Sequence, residues 1–165
     1  MLVSKFIKVN KKKLANMKIF VGADHNGYQS KGKIIEFLQE AGYEVVDVGN
    51  DVYDPADDFP VFANRAVKNV LNSNGSDRAI LICGGGQGMA MAANRHKGIR
   101  ASVIWDSEEA RLTRNDNDSN VLALPARIAQ NNPEVAQQII TTWLEGTFET
   151  EDRYIRRNKM LDSVD

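Results

Sequence analysis

Residues 78–88 read Arg78-Ala79-Ile80-Leu81-Ile82-Cys83-Gly84-Gly85-Gly86-Gln87-Gly88. An apolar, β-branched run ends here in a loop, Gly84–Gly88, with glycine at four of its five positions. Such a run fits a strand buried on both faces, as parallel sheets require. A tight turn needs one or two glycines. Four of them free the backbone for positive φ and gather amide N–H groups at the start of the next helix. That is a place for a phosphate or an oxyanion. A dinucleotide fingerprint would instead follow the first strand, where this chain carries Asp24-His25.

Working outward, the same alternation recurs on both sides. Lys18–Ala23 predicts the first strand, residues 28–41 a helix with Ile34, Ile35 and Leu38 inward, and Glu44–Val48 the second strand. Residues 50–58 form an acidic loop with Pro55, and Pro60 opens a helix whose apolar face is Phe62, Ala63, Ala66, Val67, Val70 and Leu71. Beyond the glycine loop a short helix is expected over 89–95, a fourth strand over 101–105, a helix over 107–114 and a fifth strand over 121–124. Pro133 starts a helix to about Leu144, and a charged helix covers about 152–161. Strands joined by helices of 10–15 residues imply right-handed crossovers, hence an α/β fold: a parallel five-stranded sheet in a three-layer αβα sandwich. Ligands of such sheets bind beyond the carboxyl ends of the strands.

At 165 residues the chain is expected to form one domain, 17–165, preceded by a basic extension, 1–16. That extension holds Lys5, Lys8, Lys11, Lys12 and Lys13 and no acid; without it the net charge of −1 becomes −6. An acidic body argues against nucleic acid as a partner. The lead has neither the apolar core nor the cleavage site of a secretory signal. Met17-Lys18-Ile19-Phe20 reads as a fresh start running into a strand. No apolar run approaches the ~18 residues that span a membrane. One cysteine, Cys83, forms no internal disulfide, and with two histidines it leaves too few ligands for a His/Cys zinc site. No metal and no membrane are expected, and the location expected is cytoplasmic.

The candidate site residues follow the strands. Cys83 alone reads as a small buried hydrophobe; beside a helix N-terminus a thiol becomes a candidate for proton abstraction. Asp24 caps the following helix or faces a ligand, and His25 can donate to a substrate oxygen or phosphate. His96, between Arg95 and Lys97, reads as a helix C-terminal charge. Residues 114–120, Arg-Asn-Asp-Asn-Asp-Ser-Asn, read either as a plain turn or as carboxylate and carboxamides at the ligand-binding end. Arg153 and Arg157 share a helix face at i, i+4, with Arg156 beside them; they suit a solvated helix or a phosphate clamp.

Taken in order, these stretches resemble ribose-5-phosphate isomerase B and the related galactose-6-phosphate isomerase subunits. The likeness runs from Met17 to about Asp162. It rests on Gly22-Ala23-Asp24-His25-Asn26-Gly27-Tyr28, Asp58-Phe59-Pro60, Ile80–Gly84, Gly86-Gln87-Gly88, Ala92-Ala93-Asn94-Arg95, Gly98-Ile99-Arg100-Ala101, Ala110-Arg111-Leu112 and Asn117–Ala123. The resemblance implies a Rossmann-like fold, a homodimer or pair of dimers with sites shared between subunits, and aldose–ketose isomerisation of a sugar phosphate through a cis-enediolate, without cofactor. By position it implies that Cys83 moves the proton between C1 and C2. It implies that the amides of Gly84, Gly85, Gly86, Gln87 and Gly88 hold the enediolate. Asp24 and His25 then lie near sugar and phosphate, Asn117 at the reacting oxygens, and Arg127, Arg153 and Arg157 near the phosphate.

Three positions depart from that family. Gly85 replaces the usual Thr or Ser. Asp116 replaces a histidine that serves ring opening, and Phe59 replaces a tyrosine. A carboxylate at 116 does acid–base work only where its proton affinity is raised. Some relatives use a glutamate at the position of Met89; with Met89 here, Cys83 is the expected base. The expected substrate pair is ribose 5-phosphate and ribulose 5-phosphate. A six-carbon phosphate such as allose or galactose 6-phosphate, or sugar-phosphate binding without turnover, also fits these departures.

Overall fold

The computed structural model describes residues 17–163; the expected extension over 1–16 lies outside them. The elements are β1 (Lys18–Ala23), α1 (Tyr28–Glu40), β2 (Glu44–Asp47), α2 (Phe59–Asn72), β3 (Arg78–Cys83), α3 (Gln87–Ala93), β4 (Ala101–Val103), α4 (Ser107–Asn117), β5 (Val121–Pro125), α5 (Ala126–Asn131), α6 (Pro133–Glu145) and α7 (Asp152–Leu161). The five strands are all parallel, in the order β2-β1-β3-β5-β4. The topology reverses between β1 and β3, and a ligand crevice opens where such a reversal occurs, at the carboxyl ends.

Side-chain alternation along the strands builds two cores. Ile19, Val21, Ile80, Ile82, Leu122 and Leu124 face one side and pack with Ile34 and Leu38 of α1 and Ile139, Ile140 and Trp143 of α6. Phe20, Ala79, Leu81, Cys83, Val121 and Ala123 face the other and meet Phe62, Val67 and Val70 of α2 and Met89 of α3. Trp143 is fully buried, and its indole N–H donates to Ser119 Oγ at 2.8 Å, so the ring adds apolar area without an orphaned donor.

Two departures from the sequence reading matter for the site. First, α4 does not stop at Arg114 but continues to Asn117, ending at Asp118 in the left-handed region (φ 48°). Short polar residues favour turns only where nothing holds the helix. Here buried Arg114 donates to Asp118 Oδ1 and to the Ser119 carbonyl, both at 2.7 Å, and closes the last turn. Second, α5 follows β5 directly; six residues are too few to show a helical period. The fourth strand is also shorter than expected, ending at Val103.

The turn from β1 to α1 lies directly on β3. A Cβ added at Gly27 would stand 2.7 Å from the Ile82 carbonyl oxygen and 2.7 Å from its Cγ2. Backbone cannot move aside as a flexible side chain can. Gly27→Ala is therefore expected to lower unfolding stability by roughly 1–3 kcal/mol in urea titration. Gly88→Ala meets first the outer edge of the exposed Phe59 ring, a side chain and not backbone, and should cost less.

Candidate active site

The site grows from two strand ends at the switch point. Cys83 closes β3 beside Pro125 of β5 and is 6% exposed. The chain then turns: Gly86 N–H donates to the Cys83 carbonyl at 3.3 Å, with Gly86 at φ 75°. A side chain there would be strained and would also press on the Ala123 carbonyl. α3 starts at Gln87, and the amides of its first turn have no acceptor within the helix. The Asn26 carboxamide lies against Gly84, 3.6 Å from where a Cβ would stand. Arg127, exposed on α5, brings its guanidinium to 3.8 Å from the same point on Gly85. Cys83, the 84–88 loop, Asn26 and Arg127 thus form one cluster.

Asp24 ends β1 on the same edge. It is buried, and its Oδ1 accepts from the amides of Asn26 (2.9 Å) and Gly27 (3.2 Å) while Oδ2 faces Asn26 Nδ2 at 3.3 Å. Its carboxylate builds the turn. His25, next along, is partly exposed. Its Nδ1 lies 2.7 Å from Asp57 Oδ1, and its backbone N–H donates to the same oxygen at 3.0 Å. Asp57 Oδ2 accepts from buried Asn50 Nδ2 at 2.7 Å. The His25 pKa is raised above the ordinary 6.5, first by the Asp57 hydrogen bond and then by the charges of Asp24, Asp57 and Asp54, against the opposing effect of desolvation. Lys31 holds this loop from α1: its ammonium donates to Asp47 at 2.7 Å and to the Asn50 carbonyl at 2.7 Å. A cavity of about 400 Å³ opens beside His25 and Asn26, between Tyr28, Gln29, Tyr53 and Gln130.

Asp24, His25 and Asp57 bring their possible metal-ligating atoms within 4.8 Å of one another. Those carboxylate oxygens already accept hydrogen bonds from protein N–H groups, so the trio is built as a hydrogen-bonded network. Asn26, Asn50 and Asp57 escaped the sequence reading as individual site residues. Only the acidity of the 50–58 loop hinted at Asp57, and nothing in sequence singled it out from Asp51, Asp54 and Asp58.

The other candidates stand elsewhere. The expectation that residues 114–120 lie at the ligand-binding end is corrected by the direction of α4, which joins two parallel strands. A helix following β4 runs back antiparallel to the sheet, so its last residues, Asp116 and Asn117, reach the amino-terminal edge. Neighbouring contacts agree: Arg100, just before β4, donates from Nε to the Asn117 carbonyl at 2.9 Å, and Asn120 precedes β5. Asp116 is half-buried, with Asn115 Nδ2 donating to it at 2.8 Å. α7 is tied to the same edge, through Glu149 N–H to the Asn115 carbonyl (2.9 Å) and Asp162 to Arg100 (3.3 Å). Its Arg153 and Arg157 are exposed; Arg153 pairs with Glu151 at 2.9 Å and covers the Tyr154 ring. Four candidates therefore stand at the far end of the sheet from Cys83, roughly 13 Å of strand away. His96 is apart from both groups, its Nε2 2.8 Å from Asn64 Oδ1.

A family model described as Ribose/Galactose Isomerase matches residues 19–161. The chain belongs to the ribose/galactose isomerase family. A Mycoplasma pneumoniae protein named "Probable ribose-5-phosphate isomerase B" is 37% identical over 134 residues, covering 81% of this chain and 86% of its own length. A "D-erythrulose-4-phosphate isomerase" of Pectobacterium atrosepticum is 36% identical over 135 residues, again 81% and 86%. Among solved structures, ribose-5-phosphate isomerase B from Mycoplasma genitalium, with bound ribulose-5-phosphate, superposes with a TM-score of 0.84 at 34% identity, covering 89% of this chain and 95% of that one. The chain is accordingly an isomerase with the α/β fold of this family. Among the described residues no helix is long and apolar enough to cross a membrane.

Proposed function

We propose that this ribose/galactose isomerase interconverts ribose 5-phosphate and ribulose 5-phosphate through a cis-enediolate, with Cys83 as the base. The observation that carries it is the placement of the chain's one thiol at the carboxyl end of β3, at the mouth of the glycine loop and the topological switch point. In the open-chain aldose the thiolate takes the C2 hydrogen. The C2–H pair becomes the C1–C2 double bond, and the carbonyl pair moves onto O1. Amides of the 84–88 loop are suited to hold that developing charge. A proton passes from O2 to O1, and the thiol returns its proton to C1, giving the ketose and the thiolate again. No electrons leave the substrate, so no redox partner enters the balance. Arg127 is suited to the phosphate or to the enediolate oxygens.

The reading also takes the enzyme to be a cytoplasmic homodimer. Asp116, Asn117, Arg153 and Arg157 cannot reach Cys83 within one chain. An isologous two-fold pair sets the amino-terminal edge of one protomer against the carboxyl edge of its partner, and Met91 and Trp105, 68% and 51% exposed, give it apolar surface to cover.

The test is a panel of four-, five- and six-carbon sugar phosphates followed by NMR, with calorimetry in parallel. Fastest turnover is expected on the ribose 5-phosphate pair. Binding without turnover on every sugar would make the chain a silent binder. The erythrulose-phosphate relative carries a second reading, a four-carbon substrate. With O4 phosphorylated such a sugar closes no ring and needs no ring-opening group, which suits the absence of a histidine at 116.

A further inference from the structure

The two elements that one protomer offers to its partner, the end of α4 and the helix α7, meet at one guanidinium. Resting on the isomerase reading and its shared site, we propose that Arg100 is the positioning residue that sets the span between Asn117 and the pair Arg153 and Arg157, and with it the length of sugar phosphate that the site accepts.

The guanidinium is held from a fixed base. Arg100 stands just before β4, and its backbone is locked to the start of β5. Its N–H donates to Asn120 Oδ1 at 2.8 Å, and its carbonyl accepts from the Asn120 N–H at 3.1 Å. From there each guanidinium nitrogen has its own acceptor. Nε donates to the Asn117 carbonyl at 2.9 Å, Nη2 to the Asp118 carbonyl at 3.1 Å and to Asp118 Oδ2 at 3.2 Å, and Nη1 to Asp162 Oδ2 at 3.3 Å. The carbonyls of Asn117 and Asp118 lie where α4 ends, beyond the reach of its own N–H groups, and a cation there is favoured by the helix dipole. A planar fork fixes direction as well as charge. Asn117 therefore cannot turn without breaking a bond to Arg100.

α7 has no comparable hold of its own. Asn158 is its one buried residue, and neither polar atom of that carboxamide has a hydrogen-bond partner among the described residues. Met160 and Leu161 are exposed. Apolar packing thus does little to orient the helix. What remains is a tie at each end: the Glu149 N–H to the Asn115 carbonyl before it, at 2.9 Å, and Asp162 to Arg100 after it. Both ties lead to the last turn of α4, and Arg153 and Arg157 stand between them. Arg100 is the side chain that grips both elements at once.

In the shared site a substrate spans them, with its reacting carbons at Asn117 and its phosphate at the arginines. A rigid span fits one chain length. Misplacement of reacting atoms by about 1 Å costs on the order of a hundredfold in rate. A sugar phosphate one carbon too short or too long, held by its phosphate, presents the wrong carbons to Cys83. Arg100 makes and breaks no bond of the substrate; it acts through the elements it holds.

The experiment measures kcat and KM on four-, five- and six-carbon sugar phosphates for the full-length wild type, Asp162→Asn, Arg100→Lys and Arg100→Gln. The wild type should prefer one length. Asp162→Asn frees α7 alone, so KM for that length should rise about tenfold, more than kcat falls, and the preference over the other lengths should shrink about tenfold. Arg100→Gln frees α4 as well, and kcat should fall about a hundredfold. Arg100→Lys keeps the charge toward Asp162 without the fork on α4, so KM should recover and kcat should not. Mixed dimers of Arg100→Gln and Cys83→Ala chains, isolated by differential tags, hold one site with a thiol, and its Asn117 and arginines come from the chain with Arg100 intact. That site should regain the wild-type length preference, which a merely structural role would not give. A wild type that turns over all three lengths equally, variants that lose activity on every length alike, or mixed dimers that keep the variant's preference would each overturn the proposal and leave the isomerase reading intact. A wild type that turns over none of the sugars would overturn both.

Discussion

Cys83→Ala is expected to suppress exchange of the ribulose 5-phosphate C1 hydrogen with solvent by about a thousandfold, the scale of a lost general base. The enediolate step has one proton to move and, at the mouth of the loop, one ionisable side chain at the end of β3 to move it. Alanine keeps the Cβ and removes only Sγ, so the packing of Cys83 against the α2 and α3 face is almost unchanged. Stability should drop by about 1 kcal/mol, near the centre of ordinary point substitutions. The variant should still bind sugar phosphate, since Arg127 and the loop amides remain. Cys83→Ser, nearly the same size, should be equally silent, because a hydroxyl gives up its proton far less readily than a thiol. Iodoacetamide should inactivate the wild type, and bound ribulose 5-phosphate should protect it. Exchange by Cys83→Ala at the wild-type rate would remove Cys83 as the base and return it to the small buried hydrophobe that its 6% exposure also permits.

The sheet and the strand end that carries Cys83 were legible because they depend on local patterns. An apolar run, Ala79–Cys83, before four glycines has few other solutions, and helices of regular period between strands dictate crossovers. The far group was misplaced for a physical reason. Asn115-Asp116-Asn117 carries turn propensity, and propensity yields where other bonds hold the helix: Arg114 bonds locally to Asp118 and Ser119, and Arg100 donates to the Asn117 carbonyl. The segment that joins a helix to the next parallel strand lies at the amino-terminal edge whatever the helix length, so this carboxylate stands at the opposite edge from Cys83. Asp57 was illegible in another way. Four aspartates share the 50–58 loop, and only the fold decides which of them meets His25. α5 was too short to show a period, yet it carries Arg127 to the glycine loop. For Asp57 and Arg127 what sequence reasoning lacks is a long-range partner, not a local preference.

Mixing two inactive chains should restore activity, and this is the sharpest consequence of the split between the two ends of the sheet. One chain carries Cys83→Ala; the other carries Arg153→Ala and Arg157→Ala. On the proposed homodimer with shared sites, each parent has a defect in both sites, in the proposed base or the proposed phosphate clamp, and both parents should be nearly silent at low substrate. In a heterodimer the sites differ. One combines the two defects and is dead. The other takes Cys83 from one protomer and both arginines from its partner, and it is whole. Refolding the chains together at equal concentration makes about half of the dimers mixed, each with one working site, so about a quarter of wild-type activity should return. Differential tags that isolate the mixed species should raise this to about half. If the arginines act within their own chain, every site holds a defect and mixing restores nothing. Light scattering on the same samples checks the premise, since a fully active monomer would exclude a shared site. Neither arginine is buried, and Arg153 is tied only to exposed Glu151 and to its neighbour Tyr154. Their loss should leave the melting temperature nearly unmoved, which separates lost binding from lost folding.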